Sequence, residues 1–115
     1  MAEDDRKLFT FEQAVRLLPE VRERTRRAVE KIEALEGERA DDEEPDEARE
    51  RLEDAATAVL RAWAAELVSM GLEVKGPWLV DFDSGAGYYC WKWPEDSLEF
   101  FHSYEEGFAG RVRLQ

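Results

Sequence analysis

One cysteine, Cys90, and one histidine, His102, are all the chain offers of the two residue types that most often hold metals or drive nucleophilic chemistry. A lone cysteine permits no intrachain disulfide, and no Cys/His cluster has zinc-ligand spacing. Positive charge is scarce as well: 16 Lys and Arg stand against 28 Asp and Glu, a net charge of −12. That balance argues against a sequence-independent grip on nucleic acid, which comes from cations neutralising phosphates. It also disfavours anionic membrane surfaces. No apolar run approaches the roughly 20 residues of a membrane span. The acidic start "MAEDDRK" has no apolar stretch of the signal-peptide kind. A soluble, cytoplasmic protein is the expectation.

What is present suffices for a core. Hydrophobic residues make up 43% of the 115 positions, with four Trp and six Phe. A chain of this length folds as one domain, residues 1–115, and buries roughly two-thirds of its unfolded surface. The arginines at 22, 24, 26 and 27 are interleaved with glutamates at helical spacing, the pattern of a solvated helix face.

Thr10 followed by Gln13 reads as a capping box that opens a short helix over about residues 11–17. Pro19 predicts a break near Leu18 and the start of a second, long helix. Leu18, Val21, Thr25, Ala28, Ile32 and Leu35 form its seam, which stops at Gly37. The segment "GERADDEEPDEA" reads as an acidic loop without the ligand order of a calcium loop. From about Asp46 the seam Ala48, Leu52, Ala55, Val59, Ala62, Glu66 marks another long helix, with Gly71 placed as its left-handed C-cap. The two long helices are expected to form an antiparallel hairpin over about residues 11–70.

After Gly71 the period changes from 3.6 to 2. "WLVDFD", "YYCWKW" and "LEFFHS" read as three strands joined by the turns "SGAG" and "PEDS", with residues 71–75 as a further extended piece. The expected fold is α+β: a helical hairpin packed on a three-stranded antiparallel meander, with a C-terminal turn completing residues 72–115.

Tight turns fix a register. The first pairs Asp83 with Tyr88, Phe82 with Tyr89, Asp81 with Cys90 and Val80 with Trp91; the second pairs Trp93 with Leu98, Lys92 with Glu99, Trp91 with Phe100 and Tyr89 with His102. One face then carries Trp78, Val80, Phe82, Tyr89, Trp91, Trp93, Leu98, Phe100 and His102, and is expected to cover the helices. The other carries Leu79, Asp81, Asp83, Tyr88, Cys90, Lys92, Glu99, Phe101 and Ser103. In this register His102 points away from Asp81, Asp83 and Cys90. That argues against a metal site built from those aspartates and against a Cys–His nucleophile. A contact between His102 and Glu66, the odd carboxylate on a helical seam, is expected instead.

The opening "LFTFEQAVRLLPEVR", the strands "WLVDFD" and "YYCWKW" and the ending "FFHSYEEGFAGRVRL" together resemble the DUF2203 family of uncharacterised prokaryotic proteins. The resemblance covers most of the chain and implies a helical hairpin followed by a small sheet. It implies no reaction. Members of that family usually have Trp or Tyr where Phe101 stands and Pro where Asp83 stands.

The ending lacks the length and the Lys-Ser/Thr of a phosphate loop; its glycines at 107 and 110 are read as positive-φ turn residues. Arg111 is placed over a carboxylate or an aromatic face. The expected function is a non-catalytic interaction or structural module that self-associates as a homodimer through the hairpin, with no cofactor, nucleic acid or membrane partner. The alternative is a protein that binds a small anion or a metal near His102 and Arg111, with Tyr89, Trp91, Glu105 and Glu106 around them.

Overall fold

The computed structural model of the chain describes residues 7–38 and 45–114. Most of the acidic connection, residues 39–44, and the first six residues lie outside the described residues.

Helix α1 runs from Phe11 to Gly37. The capping box forms: Gln13 N–H donates to Thr10 Oγ1 at 3.0 Å, and Thr10 N–H donates to Gln13 Oε1 at 2.9 Å. The expected break at Leu18 does not occur, and Pro19 sits inside one continuous helix. Pro removes one backbone bond and costs ~3 kcal/mol in a helix interior. Ala14 and Leu18 before it, and Val21, Thr25 and Ala28 after it, are buried on one face against a common core. Burying side chains the size of Leu and Val contributes about 1.5–3 kcal/mol each. Tertiary packing therefore overrides the local signal.

Helix α2 spans Asp46–Ser69. It ends at Gly71, at φ 92°, in a Schellman arrangement. Gly71 N–H reaches Val68 O at 2.9 Å and Leu72 N–H reaches Leu67 O at 3.1 Å. Between the helices Trp63 Nε1–H donates to Thr25 Oγ1 at 2.8 Å, and Arg24 pairs with Glu66 at 3.0 Å. Glu38, near the end of α1, lies beside Ala48, Arg51 and Leu52 near the start of α2, so the two helices run in opposite senses.

The sheet has five strands rather than three, all antiparallel and in chain order: β1 Glu73–Gly76, β2 Leu79–Asp83, β3 Tyr88–Lys92, β4 Phe100–His102 and β5 Val112–Arg113. Strand β1 carries a register shift between Val74 and Gly76. A 3₁₀ turn at Phe108–Gly110 precedes β5. The first hairpin has the expected register, Val80 to Trp91 through Asp83 to Tyr88. Its inner face buries Val80, Phe82 and Trp91 with Leu18, Val21, Trp63, Leu67 and Leu98.

The second hairpin differs from the expected register by one residue. Tyr88 pairs with His102, Tyr89 with Phe101 and Cys90 with Phe100. The connection after β3 is not a tight turn on "PEDS". Glu95 folds back on the strand end: its carboxylate accepts from Lys92 N–H at 2.9 Å, and its carbonyl accepts from Trp91 Nε1–H at 2.8 Å. Trp93 N–H turns away to Trp78 O at 3.0 Å. One residue of shift moves every β4 side chain to the opposite face. Phe101 therefore meets Tyr89, and His102 joins Asp81, Asp83 and Cys90.

A buried polar cluster on the outer sheet face

The face opposite the helices is mixed in composition, yet Asp81, Asp83, Cys90 and His102 on it are all at most 4% exposed. Residues 103–111 fold back over it. Tyr104 Oη–H donates to Asp83 Oδ1 at 2.6 Å. Arg111 lies between the rings of Phe100 and Phe108, at 3.8 and 4.1 Å, and makes a two-point pair with Glu95 at 3.2 and 2.5 Å. Its Nη1 is 3.9 Å from Cys90 Sγ. The glycines of this segment do not serve as positive-φ residues; only Gly71, Gly85 and Gly87 do so among the described glycines. At Gly110 the constraint is close approach, since a Cβ there would lie 2.8 Å from the Glu106 side chain.

The other flank is closed from β1. Lys75 Nζ lies 3.5 Å from Asp81 Oδ2, 3.4 Å from Glu73 Oε1 and 4.1 Å above the Tyr88 ring. Burial works against the ammonium, but Asp81, then Tyr88 and Glu73, outweigh it and raise the Lys75 pKa. Lys75 is therefore a cation at neutral pH. Tyr88 Oη–H donates to Glu73 at 3.0 Å.

His102 makes two contacts. Its Nδ1 is 2.9 Å from Ser103 O, and its Nε2 is 3.0 Å from Asp81 Oδ2. A carbonyl oxygen only accepts, so Nδ1 carries the proton of that bond. A neutral ring then turns the Nε2 lone pair towards a carboxylate. That contact becomes favourable when His102 is an imidazolium, when Asp81 carries a proton, or when a cation lies between them. Asp81 Oδ1 is buried and has no hydrogen-bond partner among the described residues. An unmet buried acceptor costs about 1–3 kcal/mol, more if charged.

Cys90 lies beneath the pair. Its pKa is pushed up to about 12, first by burial and then by the neighbouring Asp81, with Arg111 acting weakly the other way. It is a neutral thiol at physiological pH, closed off from solvent, and so a poor nucleophile. A carboxylate oxygen of Asp81, the sulfur of Cys90 and a ring nitrogen of His102 nevertheless lie within 4.8 Å of one another. Above them opens a cavity of about 400 Å³, lined by Lys75, Leu79, Asp81, His102 and the segment from Tyr104 to Phe108.

Of the residues singled out in the sequence, His102, Glu105 and Glu106 line this cavity. Arg111 lies outside its lining, at the Cys90 side, and its partner is Glu95 rather than Glu105 or Glu106. Tyr89 and Trp91 point to the helix side, where Tyr89 meets Phe11 and Trp91 is fully buried. The expected His102–Glu66 contact is absent: Glu66 pairs with Arg24, and both nitrogens of His102 are engaged elsewhere. The facing argument against Asp81 and Cys90 as neighbours of His102 is overturned by the β4 register. Sequence reasoning weighed Asp81 and Cys90 and set them aside on that argument, and it did not single out Lys75 or Tyr104 as site residues. The available signal was Asp81 opposite Cys90 on one face, which was legible in the first hairpin.

A family model described as "Uncharacterized conserved protein (DUF2203)" matches residues 7–114. No curated protein and no solved structure matches the chain.

Proposed function

Since the chain belongs to the DUF2203 family, whose description assigns no activity, we propose its function from the site itself: it binds one divalent metal ion of the zinc class through Asp81, Cys90 and His102. The observation that carries this reading is the convergence of three donor atoms within 4.8 Å in a buried place. Thiolate, imidazole and carboxylate together suit zinc rather than the all-oxygen shells of calcium or magnesium. The Nδ1–H bond to Ser103 O supports it, because metal-bound histidines use their second nitrogen in this way.

Cobalt(II), a spectroscopic substitute for zinc, tests the reading. Binding is expected to produce a sulfur-to-cobalt charge-transfer band that Cys90→Ser abolishes and zinc displaces. Zinc at a hundred times its Kd is expected to stabilise the fold by about 2.7 kcal/mol. Absence of both the band and the stabilisation ends the proposal.

A second reading, a homodimer through the helices, has its own support. The radius of gyration is 16.7 Å against about 13 Å for a compact chain of this length. Beyond Ala28 on α1 and before Trp63 on α2, no helical side chain is fully buried. Leu8, Phe11 and Val15 are also exposed. A second copy that packs its helix pair on this one would cover such surface as a four-helix bundle. Light scattering on a size-exclusion column decides it; a monomer at micromolar concentration removes the reading.

A further inference from the structure

Resting on the metal reading, we infer that the ion keeps one exchangeable position open to the cavity, and that this position takes an oxyanion, a carboxylate or phosphate, whose second anchor is Lys75. Three protein donors leave a four-coordinate ion one ligand short, the pattern of catalytic rather than structural zinc. The direction of the vacancy follows from the lining. Asp81 and His102 reach the cavity wall, whereas Cys90 does not, so the sulfur lies behind the ion and the free position faces the cavity.

The charge of the ligand follows from Lys75. Its Nζ lies 3.5 Å from Asp81 Oδ2, and it lines the same cavity with its side chain 37% exposed. An ion bound to Asp81 takes that carboxylate from Lys75, which keeps Glu73 at 3.4 Å and has donor capacity free for a ligand oxygen. An oxyanion can bridge the open metal position and the ammonium with charge-assisted bonds to both, which a neutral ligand does more weakly. Glu105 and Glu106 also line the cavity, but both are exposed to solvent, where screening weakens their effect on an anion. Glu106 additionally accepts from Ser103 Oγ–H at 3.3 Å. Tyr104 and Phe108 complete the wall, so the room is for a small molecule and not for a polymer.

The cobalt(II) form of the full chain provides the experiment, with inorganic phosphate and acetate as probes. Each probe is expected to shift the visible d–d bands saturably. Lys75→Met is expected to weaken that response about tenfold or more, with the charge-transfer band retained and cobalt bound at least as tightly because Asp81 loses a competitor, and Lys75→Arg to restore most of the response. The retained band certifies that the Met variant is folded and loaded. Bands that do not move with either probe mean that a protein group closes the fourth position and overturn the inference; Glu105→Gln and Glu106→Gln then identify that group. A shift indifferent to Lys75→Met removes Lys75 as the anchor and overturns it as well. Failure to bind cobalt at all is the distinct result that defeats the metal reading itself.

Discussion

The two faces of the sheet are both buried at their centres and are chemically opposite. On the helix side Val80, Phe82 and Trp91 are fully buried against apolar side chains. On the other side Asp81, Cys90 and His102, from the same and neighbouring strands, are almost as buried against charged and aromatic groups. Burial on the first face stabilises through removal of apolar surface from water. On the second it works against charge, so each polar group needs a partner, and one oxygen of Asp81 has none. Stability is concentrated on one face and chemical capacity on the other.

That division can be broken from either side. The largest effect is expected for Trp91→Ala, which empties the centre of the apolar face and should cost about 3–5 kcal/mol in urea unfolding, with metal binding surviving in the folded fraction. Next comes Arg111→Ala, which leaves Glu95 half-buried without its cation and unstacks Phe100 and Phe108. A loss of about 2–3 kcal/mol is expected, read from the same denaturation curve. Asp81→Asn should behave in the opposite way. The amide can donate to His102 Nε2, so stability should stay within about 1 kcal/mol of the parent, and the cobalt charge-transfer spectrum should weaken or vanish. A large stability loss with unchanged cobalt binding would make Asp81 a structural residue and erase the contrast.

The smallest effect lies off both faces. Hydrogen bonds from Arg26 to Glu23, with Arg27 assisting, hold the Glu23 carboxyl down to about 2. A depressed folded-state pKa adds stability that is present above the ordinary carboxylate value and is lost as the pH falls towards 2. Glu23→Gln should therefore lower the melting temperature slightly at pH 7 and leave it unchanged near pH 2, which makes the fall between pH 5 and 2 slightly flatter.

How far the sequence exposes this arrangement depends on the local pattern. The first hairpin was legible because "LVDFD" and "YYCWK" alternate strictly, and a slip would bring aspartates under the helices. The same test has no power on β4. In "FFH" a one-residue slip exchanges Phe100 for Phe101, aromatic for aromatic, so only His102 registers the change. Register there is set by Glu95, whose backbone and side chain cap the end of β3, a tertiary choice invisible to turn rules. Of the two edge strands, β1 was legible only as an extended piece over residues 71–75, because its pairing is irregular, and β5 escaped because it has two residues. The cluster itself was hidden by the expected β4 register, which placed His102 on the face opposite Asp81, Asp83 and Cys90.

The irregularity of β1 has a consequence for how copies of this chain meet. A sheet whose rims are long and flat invites the next molecule to add a strand, and aggregation follows. Here one rim is kinked between Val74 and Gly76. The other is only Val112–Arg113, with Arg113 drawn in to Glu99. Both rims are therefore poor templates for a further strand, and edge-to-edge growth of the sheet is disfavoured at each side.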